Sequence, residues 1–337
     1  MTKPKIVFVD TEQFDARSLS FSHSHFTRLM NLVESGQVKV LLTDVVVGEV
    51  KRHIREKFRD ARKTLGQQFG GLFRNLVKTP SPPILSSEYW ENAESEVLAE
   101  FENCCKKLKV EMVPIVPEHV SIVFGWYFKY EGPFDSHKRK AEFPDAFSIA
   151  AITEWAKKHG EHVYMVSRDM SFRVASELGS NALQLTHKDS LEAFFELFPD
   201  PTLAATIKVA FATFLNDEAN YAFGENEFQQ LGFYVEDAEG WDAHCIAVTY
   251  TKPDCLHVVE AKDGHAVLAG GMHVDFMVDI CGIQSETEDK SAFVTAEIKI
   301  DYDVNDPTKI DVKSVQYDKK GAIGVSLPSS LRRIYED

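Results

Sequence analysis

The stretch Lys5-Ile6-Val7-Phe8-Val9-Asp10-Thr11 reads as a short buried strand that ends on an acid. A strand covered on both faces needs no polar alternation, and such near-continuous apolar runs belong to parallel sheets. A carboxylate at the C-terminal end of that strand points into the crevice where α/β folds place their ligands. Working outward, further strand-like runs rich in Val, Leu and Ile fall at 38–42, 162–167 and 182–186. Helical patterns fall near 22–35, 44–70, 88–109, 117–129, 145–159, 170–178 and 188–198. Strands alternating with helices predict a mainly parallel sheet covered on both faces, over residues 1–199.

Between the second strand and Pro144 the pattern is helical apart from two irregular stretches. Thr79-Pro80-Ser81-Pro82-Pro83 cannot continue a helix, because proline lacks the N–H donor and restricts its neighbour. Tyr130–His137 leads into Lys138-Arg139-Lys140. The region from about 52 to 141 is therefore expected as a helical insertion beside the sheet. Pro199-Asp200-Pro201 marks the expected boundary of a second domain, 200–337. There the pattern changes to apolar/polar alternation, as in Ala292-Phe293-Val294-Thr295-Ala296-Glu297-Ile298, which suits an antiparallel sheet with one solvated face in a β-rich (α+β) domain.

Composition narrows the class. A 44% hydrophobic and 26% charged chain matches a soluble globular protein. No segment approaches the roughly 20 apolar residues of a membrane span, and the N-terminus lacks a signal-peptide core, so a cytoplasmic location is expected. The five cysteines are odd in number and without zinc spacing, which reads as reduced thiols. The net charge of −15 is uneven: residues 1–200 hold 26 Lys+Arg against 28 Asp+Glu, leaving 11 against 24 for the rest. The near-neutral first part suits contact with a polyanion far better than the acidic second part.

Four acids stand in separate local settings: Asp10 after the first strand, Glu49 early in a helix, Asp145 in the first turn after Pro144, and Asp169 after the run Val163–Arg168. Each alone has an ordinary explanation, as cap, solvated helix face or turn. Together their order and settings resemble the PIN-domain nuclease family. The matching features are strand-Asp-Thr at Asp10-Thr11, the helical Glu49, the stretch Asp145–Ala151, and strand-Ser-x-Asp at Ser167–Asp169. The segment Lys138–Ala146 most resembles a larger bacterial subgroup of PIN-like proteins, and the resemblance covers about residues 5–198. It implies a three-layer α/β/α fold, Mg²⁺ or Mn²⁺ held by Asp10, Glu49, Asp145 and Asp169, and endonucleolytic cleavage of RNA. Ser167 and Thr11 would support the site, with Glu142 as a fifth acid at its rim. A role as a toxin or bacterial defence effector is a further implication of the resemblance.

An acidic site must still attract RNA. Seven of the thirteen positions 51–63 carry Lys or Arg, and Arg52, Arg55, Arg59, Arg62 and Lys63 share one helix side. That stripe, Lys138, Arg139, Lys140, and Arg168 beside Asp169 are the expected phosphate contacts. Trp126, Tyr127 and Phe128 offer base stacking, although aromatics there more often belong to a core. Residues 200–337 are expected to meet a protein partner or a second copy, or to restrain the nuclease. Two competing readings are a non-catalytic PIN-like interaction module and a haloacid-dehalogenase-like phosphatase. Glu12 stands where the phosphatase would place its second Asp, which weakens that alternative.

Overall fold

The computed structural model describes residues 3–75, 86–135, 142–177, 184–236, 241–281, 285–318 and 323–326. Lys138, Arg139 and Lys140 lie outside these. The chain divides into two compact units, Met1–Leu191 and Glu192–Asp337. Pro199-Asp200-Pro201 lies beyond that division. There the Asp200 side chain accepts from Leu203 N–H and caps a helix that starts at Pro201.

The first unit runs β1 (Lys5–Val9), α1 (Thr11–Asp15), α2 (Ser24–Glu34), β2 (Val38–Thr43), α3 (Asp44–Asn75), α4 (Ser87–Lys107), β3 (Glu111–Val113), α5 (Pro117–Lys129), α6 (Phe143–His159), β4 (Val163–Val166), α7 (Met170–Glu177) and β5 (Leu185–Lys188). The five strands form one parallel sheet in the order β3-β2-β1-β4-β5, flanked by helices. Ile6, Val7, Phe8 and Val9 are all buried, as a central strand covered on both faces requires. Because the chain winds from β1 to β2 and β3 on one side and then returns to β4 on the other, the strand order reverses beside β1. A crevice opens at the C-terminal edge of a sheet at such a reversal.

The insertion is not wholly helical. Glu111–Val113 pairs in parallel with Leu41–Thr43 and forms an edge strand. Three residues are too few for an alternation pattern, and the strand is held by tertiary contacts instead. Glu111 receives Lys39 at 2.5 Å and the Trp155 indole N–H at 2.8 Å. The last strand also differs from expectation, occupying Leu185–Lys188 in place of 182–186, so the following helix α8 is only Leu191–Phe195.

In the second unit α9 (Pro201–Leu215), α10 (Glu225–Gln229), β6 (Phe233–Glu236), β7 (Asp242–Lys262), β8 (His265–Cys281), β9 (Ser285–Asp303), β10 (Asp306–Tyr317) and β11 (Ile323–Ser326) follow. β10-β9-β8-β7 is an antiparallel sheet, and β6 pairs with β11 in parallel. β7 is one long strand, where the alternation alone predicts two at 244–250 and 256–261, and its register shifts at four points including Pro253/Cys255. A proline inside a strand is tolerated at such an irregularity because the ladder there lacks a bond to lose. One sheet face packs on α9 through Ile207, Phe211, Leu268, Val274, Phe276 and Ile298. β10 at the edge carries Asp311 and Lys313, paired with each other, which discourages strand addition from another chain.

None of the five cysteines is disulfide-bonded. Burial pushes the Cys104 thiol up to about 12 and those of Cys105 and Cys245 to about 11, so little reactive thiolate exists at neutral pH. At pH 7.5 in the native protein, iodoacetamide should modify the exposed Cys255 well before Cys104, read by peptide mass spectrometry. Comparable rates at the two positions would contradict the packing around α4.

Candidate active site

The C-terminal ends of β1 and β4 present Asp10 and Ser167 side by side. The Asp10 backbone N–H donates to Val166 C=O at 3.0 Å, which continues the sheet ladder into the site. Asp10 is buried, and its two oxygens are held separately: Oδ1 accepts the Thr11 N–H at 2.7 Å and Oδ2 accepts the Ser167 hydroxyl at 2.8 Å. The same Ser167 oxygen accepts the Asp169 N–H at 3.0 Å. Asp10 is therefore both the N-cap of α1 and a fixed acid of the crevice.

The other carboxylates arrive from helices. Glu49 sits in the second turn of α3, where its Oε2 accepts the Thr11 hydroxyl at 3.0 Å. Asp145 lies in the first turn of α6. Thr43 and Ser148 hydroxyls, 2.9 Å apart, join β2 to α6 and help fix that helix. Asp169 accepts both the backbone N–H and the hydroxyl of Ser171, at 2.7 and 2.5 Å. Carboxylate oxygens of Glu142, Asp145 and Asp169 lie within 4.8 Å of one another. Asp10, Glu49, Asp145 and Asp169 together line one open cleft of about 400 Å³. Four well-separated segments thus supply acids to a single place.

Such crowding is electrostatically costly. Burial, followed by the charges of Asp10, Asp169, Glu49 and Glu142, raises the Asp145 carboxyl to about 8. Burial raises Asp10 to about 6, even though Ser167 and Thr11 hydrogen bonds act in the opposite direction. The converging donors are carboxylate oxygens, the set that suits hard divalent cations such as Mg²⁺ or Mn²⁺. A bound cation would reverse the repulsion that raises both groups.

Three lining residues escaped the sequence reading as site members: Asp15, His53 and, in its actual role, Glu12. Glu12 binds Arg168 through the backbone N–H at 3.2 Å and the guanidinium at 3.7 Å. His53 meets Asp15 at 2.5 Å. Helical spacing places Asp15 on the side of Thr11 and His53 on the side of Glu49, each an i,i+4 pair, but it does not reveal the contact between Asp15 and His53.

The basic stripe on α3 is divided by its neighbours. Arg55 pairs with Glu94 at 3.7 Å and Arg62 donates to Ser87 at 3.1 Å, so both reach toward α4. Arg59 sits between Glu56 and Asp60. Arg52 leans on Glu49 at 3.7 Å, and Arg168 lines the cleft itself. Trp126 and Tyr127 pack against the core cluster of Val123, Phe134, Ala146 and Ala150, leaving Phe128 exposed. The stacking trio is therefore mainly structural.

Residues 7–172 match the family model described as PIN domain. Comparison with curated proteins and with solved structures found no match.

Proposed function

Because residues 7–172 belong to the PIN-domain family, a nuclease fold that generally acts on RNA, we propose that this chain is a divalent-metal-dependent endoribonuclease. The observation that carries the reading is the convergence of Asp10, Glu49, Asp145 and Asp169 in one cleft, with Glu142 beside Asp145. These acids would hold Mg²⁺ or Mn²⁺, which when bound lowers the pKa of a water and offsets charge on the reacting phosphate. The protein's own part is positioning. Ser167 and Thr11 hold the two Asp10 oxygens apart, Thr11 also steers Glu49, and Ser171 fixes Asp169. Arg168 in the cleft lining, and Arg52 3.7 Å from Glu49, supply positive charge for neighbouring phosphates, which a cluster of acids would otherwise repel.

The phosphatase alternative loses support from Glu12, which stands in place of its second Asp and whose carboxylate accepts the Arg168 backbone N–H. No helix among the described residues is long and apolar enough to cross a membrane. An effector role as a toxin or in bacterial defence rests on the family resemblance alone, and a protein partner for residues 200–337 rests on their acidic balance. The direct test is incubation of the full chain with labelled single-stranded RNA. Cleavage that needs Mg²⁺ or Mn²⁺ and stops with EDTA is the expected result. RNA left intact across both ions, while the same preparation is folded by circular dichroism, would favour the non-catalytic interaction module.

A further inference from the structure

Helix α1 spans five residues, yet its acids reach two different cationic arms of the cleft. Glu12 holds Arg168 on the β4 side. Asp15 holds His53 on α3, and His53 in turn meets Arg52, whose guanidinium Nη2 lies 3.1 Å from His53 Nε2. These contacts use both nitrogens of the His53 ring. The Asp15 carboxylate only accepts and the Arg52 guanidinium only donates, so a ring that donates from Nδ1 and accepts at Nε2 satisfies both partners. The carboxylates of Glu49 and Glu56 are each 3.7 Å from Arg52, beyond ordinary hydrogen-bond length. His53 is therefore the contact that decides where this long side chain sits.

We propose that Asp15 and His53 are positioning residues that hold Arg52 as a contact for a backbone phosphate of single-stranded RNA lying in the acidic cleft. The inference rests on the nuclease reading and adds what the carboxylates lack. Arg168 and Arg52 then offer two cationic contacts, the second linked through His53 to Asp15 on α1. A free arginine gives up rotamer entropy when it engages a phosphate, and a guanidinium held beforehand gives up less. The chain Asp15–His53–Arg52 thus converts local packing into affinity without touching the RNA at its first two members. It also explains why His53 lines the cleft at i,i+4 from Glu49 although its imidazole is engaged with Asp15 and Arg52.

The test measures binding of a fluorescent single-stranded 20-nucleotide RNA by anisotropy. It uses the full chain carrying Asp145→Asn, so that bound RNA is not cut, across a salt series. Arg52→Ala should weaken binding about 5- to 10-fold and lower the salt slope by about one. His53→Ala should weaken it about 3- to 5-fold with a similar loss of slope, which a merely structural role would not produce. The double variant should bind no worse than Arg52→Ala within about twofold, because both changes remove one contact. His53→Gln, which keeps a donor and an acceptor, should recover most of the affinity. Unchanged binding in His53→Ala, multiplicative effects in the double variant, or no RNA binding at all would each overturn the proposal. A chain that cuts RNA but shows no His53 effect sinks this inference alone. One that binds with these effects while its unsubstituted form cuts nothing sinks only the nuclease reading.

Discussion

Asp145→Asn should lower RNA cleavage by at least about 100-fold while raising the stability of the metal-free protein, two effects of opposite sign from one carboxylate. The first follows from its place among Glu142, Asp169, Asp10 and Glu49. The second follows from the same neighbours, since burial and their charges raise Asp145 to about 8 from an ordinary value of 3.8. A carboxyl whose folded value is raised binds its proton more tightly in the native state. Its contribution is favourable below about 3.8 and is lost as pH climbs from there through about 8. Asn does not ionise, so the variant escapes that loss, and its advantage should widen between pH 4 and 8. The group is only partly buried, so solvent screening reduces the gain to about 1–2 kcal/mol, or about 2–8 °C in Tm.

Adding Mn²⁺ should invert the order. On the proposed reading wild type would gain stability by binding the ion in its native state, whereas the variant would lack one carboxylate ligand and gain less. Thermal melts of both proteins at pH 5 and 7.5, with EDTA and with Mn²⁺, make the comparison. A variant that melts lower than wild type in EDTA at pH 7.5 would contradict the crowding of charge read from the geometry. Full cleavage by the variant would remove Asp145 from the active site altogether.

Why these acids were legible in the chain, while Asp15 and His53 were not, is a matter of range. Asp10 and Asp169 follow buried strands and Asp145 follows a proline, so each carries a local flag. Glu49 stands among valines that must face inward, and Val46 and Val50 are buried. His53 lies within a block of basic residues whose composition suggests a single solvated stripe. Only the partner helices divide that block. Glu94 and Ser87 on α4 take Arg55 and Arg62, and Asp15 on α1 takes His53. No reading of positions 51–63 alone contains those partners. Strand β3 fails for the same reason: three residues carry no period, and its position depends on Lys39 and Trp155. The sheet, its parallel character and the change to antiparallel β structure in the second unit were all legible, because each rests on the repeat of apolar residues within one element.

The second unit depends on a backbone feature that alternation does not reveal. Within the strand pattern of β8 stands Gly270-Gly271, opposite the irregularity at Pro253/Cys255 on β7. Gly270 has φ +145°, and a Cβ there would fall 2.0 Å from the Cys255 carbonyl oxygen and 3.2 Å from Leu256 Cα. Those are backbone atoms of a paired strand and cannot rotate aside. At Gly271 the added carbon would fall 2.4 Å from Cζ of Phe293, a half-exposed ring that can turn away. The prediction is therefore a contrast between neighbours. Gly270→Ala should destabilise the sheet by more than about 3 kcal/mol, through strain at φ and overpacking against backbone. Gly271→Ala should cost about 1 kcal/mol or less once Phe293 moves. Hydrogen exchange of peptides covering β7 to β9 reads the effect in this unit directly, as loss of protection in the first variant and near-native protection in the second. Equal protection in the two would mean that β7 yields at Cys255. The bulge would then be a flexible joint, and the close approach of Gly270 to β7 would not be what fixes the bend.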